Sequence, residues 1–364
     1  MLLGIPKEIK NREHRVAITP EGARQLTAQG HRVLVQTGAG ADSGFSDAAY
    51  RQSGAAIVKT AAEAWQAEFI VKVKEPLPAE YPFLVPHKIL FTYLHLAAAP
   101  ELTYELIRQR VCAIGYETVQ LEDGSLPLLT PMSQVAGRVA VQLGVRFLQK
   151  ENATPFPGMG RLPGGIAHVP ACTVLILGGG NVGQHAAMAA AGLGARVLIL
   201  EADRQRTASL AKAMPQVEVM LYSHELLISL LPECELMIGA TLIPGTHTPR
   251  LLSRAEMALM KPQSVFVDVA IDQGGISETS RPTTYHDPVY IEEGVLHCCL
   301  PNLPAAVPST STQALTSATL PYVLKLADLG LDAALESSPA LAKGVNIRDG
   351  IVVHKGLAAS LQAL

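Results

Sequence analysis

Three glycines, Gly178, Gly180 and Gly183, stand in G-x-G-x-x-G spacing inside TVLILGGGNVGQHAAMAAAGLGARVLILE, residues 173–201. The chemistry this spacing serves is pyrophosphate binding. The first glycine permits a tight turn, the second lets the backbone approach the phosphates, and the third lets a helix pack closely on a sheet. The N–H groups at the start of that helix are ready partners for an anion. Glu201 falls about 20 residues further on, where a carboxylate accepts hydrogen bonds from a ribose diol. Its charge would oppose a 2′-phosphate, which favours NAD over NADP, while Arg204 and Arg206 close behind soften that preference. A lone glycine fingerprint also fits an ordinary strand–helix turn. Here the strand before, the helix after, the second strand and the terminal acid all agree with a dinucleotide site.

Other polar residues sit where a bland fold would not demand them. Arg15 precedes an apolar run and a helix start in KNREHRVAITP. Lys72 and Lys74 share one face of the expected strand FIVKVK, because strand side chains alternate. His95 follows ILFTYL and opens a loop of small residues. Asp268 and Asp272 flank VAI at the end of a late strand. Ligands of open α/β sheets bind beyond the carboxyl ends of strands, and His95, Asp272 and the 178–183 loop all have that position. Each residue also has a structural reading: a solvated arginine, a lysine marking a strand edge, a hydrogen-bonded loop histidine, a turn-capping aspartate. The chemistry that would need them together is hydride transfer. A cationic pair holds a carboxylate, with arginine capable of a bidentate grip, and a histidine moves a proton as the substrate carbon changes oxidation state.

Elements must position these groups. The chain has 364 residues, 48% apolar and 17% charged, which suits two globular domains. A net charge of −3 and the lack of a basic cluster exclude a nucleic-acid footprint. The N-terminus turns charged too early for a signal peptide, and no apolar run reaches the ~18 residues of a membrane span; a cytoplasmic protein is expected. Five cysteines without a C-x-x-C pair make disulfides and thiolate zinc sites unexpected, and no metal is expected. Strand candidates are Leu2 to Ile5, Arg32 to Gln36, Phe69 to Lys74, Ile89 to Leu94 and Cys112 to Gly115. Helices fit at Pro20 to Gln29, 47–54 and 100–110. This alternation predicts an α/β fold with largely parallel sheets. Leu129 to Lys150 reads as a long helix with Thr130 as N-cap and Pro131 at its first position. After a Gly/Pro-rich loop come the dinucleotide unit and strands at Val217 to Leu221, Leu236 to Gly239, Val265 to Val269 and Val295 to Cys299. The tail returns to helix, and GIVVHKGLAAS closes as a strand or turn. The pattern predicts two Rossmann-like domains, 1–128 plus 305–364 for substrate and catalysis and 129–304 for NAD, with the active-site cleft between them.

Several long strings make the likeness more specific. GIPKEIKNREHRVAITPEG, TGAGADSGFSDAAY, VKVKEPLPAEY, LFTYLHLAAAPELT, YETVQLEDGSLPLLTPMSQVAGR, VDVAIDQGGISETSRPTT and NLPAAVPSTSTQALTSATLPYVLKLA resemble the alanine dehydrogenase family over nearly the whole chain. The resemblance implies NAD-dependent, reversible oxidative deamination of L-alanine to pyruvate and ammonium. It assigns Arg15 and Lys74 to the substrate carboxylate and carbonyl oxygen, His95 as the principal acid/base, and Asp272 as the second proton-handling residue. For the cofactor it adds Ser133, Asn181, Val182, Glu201, Arg206, Ser223, Leu242, the run Val269, Ala270, Ile271 and Asp272, Arg281, and Leu300, Pro301, Asn302 and Leu303. Asn302 is expected to face the nicotinamide. A homohexamer is implied, with no nucleic-acid or membrane partner. Departures from the family pattern are Glu201 for a usual Asp, Gln134 in MSQVAGR, and Pro301 and Leu303 in CLPNLP. The alternatives are an NAD(H)-binding transhydrogenase subunit, which the joint presence of Arg15, Lys74, His95 and Asp272 opposes, and a non-catalytic NAD sensor.

Overall fold

Short aliphatic runs buried on both faces make strands of parallel sheets, and this chain builds two such sheets. The computed structural model describes residues 1–241 and 248–362. The chain divides into two units, Met1–Met132 with Ala305–Leu364, and Ser133–Pro304.

In the first unit β1 (Leu2–Ile5), β2 (Arg32–Gln36), β3 (Ala56–Val58), β4 (Phe69–Val71), β5 (Ile89–Thr92) and β6 (Cys112–Gly115) lie in the order β3-β2-β1-β4-β5-β6. All these pairings are parallel. Leu3 of β1 is in register with Val33 on one side and Phe69 on the other. The chain winds outward from β1 through β2 to β3, then crosses back to β4, so β1 and β4 flank a topological switch point. The helix Pro20–Ala28 starts as its sequence predicts: Thr19 accepts from the Gly22 N–H and Pro20 takes the first position. The strand expected over FIVKVK is shorter, ending at Val71. The backbone beyond it stays tied to the next strand, Lys72 N–H donating to Phe91 O at 3.1 Å and Tyr93 N–H to Val73 O at 3.2 Å.

In the second unit β7 (Thr173–Leu177), β8 (Arg196–Glu201), β9 (Glu218–Leu221), β10 (Leu236–Gly239), β11 (Val265–Asp268), β12 (Tyr290–Glu292) and β13 (Val295–Cys298) lie in the order β12-β13-β11-β10-β7-β8-β9. Only β12 runs antiparallel, on β13 at the edge. The parallel strands repeat the outward-then-back winding, with the switch point between β7 and β10. Leu175, Leu177, Leu198, Leu200, Met237 and Phe266 form the core on one face of this sheet. Burying each such side chain is worth ~1.5–3 kcal/mol.

The helix Thr130–Leu148 carries the chain from one unit to the other. The helix begins at Thr130 itself, one residue before the start expected at Pro131, and the Thr130 hydroxyl donates to Leu126 O at 3.0 Å. The tail helix Pro308–Leu329 leads back to the first sheet, where β14 (Val345–Arg348) adds antiparallel to β6 and pairs with β15 (Ile351–Val352). Asp349 and Gly350 form the two-residue hairpin loop, both at positive φ (52° and 83°), as an Asp-Gly turn of this kind requires. The closing strand is there, but it is followed by a helix, Lys355–Gln362, that the reading as strand or turn did not include.

Candidate active-site residues

Gly178 and Gly183 have the backbone roles their spacing predicts. Gly178 has φ 106°, open to glycine, and a Cβ there would lie 2.8 Å from Ala240 O. A Cβ at Gly183 would lie 1.9 Å from Gly178 O, so only glycine lets the helix Asn181–Gly192 sit this close to the turn. A Cβ at Gly180 would meet nothing within 4 Å. That open space lies at the N-terminus of the helix, whose first N–H groups need partners. The cradle therefore fits a pyrophosphate. Gly137, in MSQVAGR, allows a second close approach: a Cβ there would stand 2.2 Å from Val182 O. This seats the N-terminal part of the helix bearing Ser133 against the glycine turn.

Glu201 closes β8 and is 5% exposed. Its Oε2 accepts from Gly179 N–H and its Oε1 from Asp203 N–H, each at 2.8 Å, and Arg206 Nη1 lies 3.5 Å away. The acid thus buttresses the glycine turn from the neighbouring strand end. Ser223, after β9, caps the helix His224–Leu230 by accepting from Leu226 N–H at 3.1 Å. Leu242 follows β10 and lies outside the described residues. Val269, Ala270, Ile271 and Asp272 form a short turn after β11. Asp268 caps that turn, accepting from Ala270 N–H and also from Ile276 N–H and Ser280 Oγ. Burial, only partly offset by these bonds, raises its carboxyl above the ordinary value. Asp272 is exposed, and its Oδ2 accepts from Asn302 N–H at 3.4 Å. Asn302 has φ 57° in the segment after β13, between buried Leu300 and Leu303, with Pro301 half-buried. Asn181 is exposed and Val182 half-buried at the start of the glycine-turn helix. Arg281 stacks its guanidinium 3.8 Å over the Tyr290 ring.

In the first unit Lys74 and His95 stand just beyond the carboxyl ends of the parallel strands β4 and β5, and Arg15 lies in the long loop after β1. Arg15 is no solvated arginine: it is 2% exposed and bidentate to Glu13, Nε to Oε1 at 2.7 Å and Nη2 to Oε2 at 2.6 Å. Its Nη1 lies 3.0 Å from Met132 Sδ. Burial works against the charge, but Glu13 outweighs it and holds the guanidinium above its ordinary value. Lys74 is half-buried with its ammonium 6.0 Å from the Tyr93 ring centroid. Lys72 does not mark an edge, since β4 is a central strand. It is fully buried and bridges Glu8 (3.1 Å) and Glu80 (2.8 Å). Glu8 in turn accepts from the N–H groups of Val73 and Lys74. His95 is exposed, adopts left-handed backbone (φ 49°, ψ 40°), and stacks on Tyr93 at 5.9 Å with rings 7° from parallel.

Sequence reasoning missed Glu8, Glu13, Tyr93 and Glu117. Signals existed: Glu13 lies two residues from Arg15, and Glu117 follows the apolar strand CAIG as His95 follows ILFTYL. Among the described residues no group of His, Cys, Asp and Glu is arranged to hold a metal.

Two parallel sheets of this winding order, one carrying the glycine cradle and a strand-end carboxylate, define a Rossmann-type dinucleotide-binding protein. Residues 4–136 and 140–355 match the models of the alanine dehydrogenase/PNT N-terminal and C-terminal domains. The chain belongs to the alanine dehydrogenase/PNT family. It is 49% identical over 363 residues to an alanine dehydrogenase of Geobacillus stearothermophilus, covering 99% of this chain and 96% of that one. It also resembles a solved L-alanine dehydrogenase, with 47% identity, a TM-score of 0.95 and coverage of 100% and 99%. A transhydrogenase from Sinorhizobium meliloti shares the fold, with a TM-score of 0.81 over 98% and 99% of the two chains, at 23% identity.

Proposed function

We propose that the chain catalyses the NAD-dependent, reversible oxidative deamination of L-alanine: alanine, NAD and water give pyruvate, ammonium, NADH and a proton. The observation that carries this reading is the presence of a buried arginine in the loop after β1, with a lysine and a histidine just beyond β4 and β5, in a member of this family. Bound NAD would supply the acceptor for the hydride that leaves the alanine Cα. Glycines 178, 180 and 183 with Asn181 and Val182 hold the pyrophosphate. Glu201 and Arg206 lie at the adenosine ribose. Ser133, Ser223, Leu242, Val269, Ala270, Ile271, Arg281, Leu300, Pro301, Asn302 and Leu303 complete the cofactor set. Arg15 binds the substrate carboxylate. Lys74 holds the carbonyl oxygen of pyruvate and its developing charge. The His95 imidazole takes the proton from the attacking water and returns it in the reverse reaction, and Asp272 handles the second proton.

The supporting domain assignment gives substrate binding to 1–128 plus 305–364 and NAD binding to 129–304. We further propose a homohexamer in the cytoplasm. Exposed Leu162, Ile166 and Val169 on the Gly/Pro-rich loop support an assembly contact, and mass determination by light scattering tests it. Among the described residues no helix is long and apolar enough to cross a membrane.

The deciding experiment follows NADH absorbance with NAD and L-alanine, and in reverse with pyruvate and ammonium. Turnover is expected in both directions. His95→Ala and Asp272→Asn should each lose roughly 10²- to 10⁴-fold in kcat while NADH still binds. Binding of NADH without turnover in the parent would overturn the reading in favour of a sensor.

A further inference from the structure

The backbone that carries His95 is held by an unusual set of bonds. β5 ends at Thr92, and the chain must then leave the sheet and turn into the short helix Leu96–Ala98. His95 makes that turn in a left-handed conformation that L side chains with a Cβ avoid. On one side, Tyr93 N–H is tied to Val73 O beyond β4. On the other side, Leu94 and His95 find a side chain. Glu117 Oε1 accepts from Leu94 N–H at 3.0 Å and from His95 N–H at 2.6 Å, and its Oε2 lies 3.2 Å from Leu94 N. Glu117 stands in the turn Tyr116–Thr118 directly after β6, the strand beside β5. The ring is steered separately: Tyr93 stacks against it, and the Tyr93 hydroxyl is anchored by donating to Leu128 O at 2.6 Å.

We propose that Glu117 is a positioning residue for the acid/base site. It holds the left-handed turn at His95 and so aims the imidazole for proton transfer. The inference rests on the reading of His95 as the acid/base. A carboxylate is suited to this place because an ionised acid only accepts, and charge-assisted bonds to two successive N–H groups are stronger than neutral ones. Reaction geometry is sensitive to such support, a misplacement of about 1 Å costing about 10²-fold.

The test compares Glu117→Asp and Glu117→Gln in the full chain, each with Tm and NADH affinity measured alongside alanine oxidation. Asp keeps the charge on an arm one methylene shorter, so it should not reach both N–H groups. Its kcat should fall roughly 10- to 100-fold with NADH affinity unchanged. Gln retains an oxygen at the Oε1 position, which accepts from both N–H groups, but sets an NH2 at the Oε2 position 3.2 Å from Leu94 N, so it should recover part of the parental kcat, more than Asp does. In a His95→Ala background, Glu117→Asp should cost nothing further in the residual rate, because Glu117 acts only through His95. Parental kcat in Glu117→Asp, or an equal further loss in the His95→Ala background, overturns the inference. So does recovery by Asp and not Gln, which would mark a role of charge alone. Parental turnover in His95→Ala would overturn the acid/base reading and this inference with it. Loss in His95→Ala beside parental turnover in Glu117→Asp overturns this inference alone.

Discussion

At the scale of the residue, side chains proposed for ligand chemistry also hold the loops they stand on. Glu201 is the clearest case, since both its oxygens already accept backbone N–H groups, one of them from the glycine turn. Each carboxylate oxygen has a second lone pair, so a ribose contact is compatible with these bonds. Glu201→Ala should therefore weaken NADH binding through the loosened turn, by ~1–2 kcal/mol or roughly 5- to 30-fold. It should also narrow the preference over NADPH, because the charge opposing a 2′-phosphate is gone. Fluorescence titration with both cofactors measures this, and an unchanged ratio of affinities would show that Glu201 does not set the preference. Arg15 follows the same pattern. Its Nε and Nη2 bind Glu13, which fixes the guanidinium plane at the place proposed for the substrate carboxylate.

At the scale of the element, close packing and buried charge decide what substitutions cost. Gly183→Ala must push the helix Asn181–Gly192 off the turn, because its Cβ would stand 1.9 Å from backbone oxygen. A loss of ~1–3 kcal/mol in stability is expected from such overpacking, together with weakened NADH binding; an unchanged Tm would contradict the packing argument. Lys88 offers a pH-dependent case. It is 4% exposed, and its ammonium donates to Trp65 O and Ala67 O at 2.6 Å each. Burial lowers its pKa from the usual 10.5 to about 8. A depressed lysine pKa means that the unfolded chain binds more protons between those values, so stability rises with pH there. Below pH about 8 both states are charged and the penalty is fully present. Relative to Lys88→Met, the parent should gain stability from pH 8 towards 10, read by urea unfolding at each pH. A difference that stays flat would show that the lysine keeps its ordinary pKa.

At the scale of the whole molecule, one winding order is used twice, and each unit brings its loops to the carboxyl ends of six parallel strands. All five cysteines are buried in these units, Cys112 in the first and the rest in the second. Burial pushes the thiols of Cys112, Cys234 and Cys299 up to about 12. Thiolate is the reactive form, so the native protein should leave all five unreacted with a disulfide reagent at neutral pH and expose five on unfolding. Rapid native labelling of any of them would show an opening that these sheets should prevent.

The amino-acid sequence by itself determined the elements whose signals are local. Apolar runs marked the strands, Thr19-Pro20 marked a helix start, and the glycine spacing marked the cradle, because turn sterics and capping act over a few residues. Likeness across long strings extended this to the family and to the proposed site. The tertiary structure decided what depends on residues far apart in the chain. It buried Lys72 between Glu8 and Glu80, where a lysine in a strand had also the reading of an edge marker, and it committed Arg15 to Glu13. It brought Glu117 from the end of β6 to the backbone of His95 at the end of β5. It also paired the tail strand β14 with β6. No local pattern encodes those contacts, because each follows from which strands become neighbours, and strand order is settled by burial of the whole sheet.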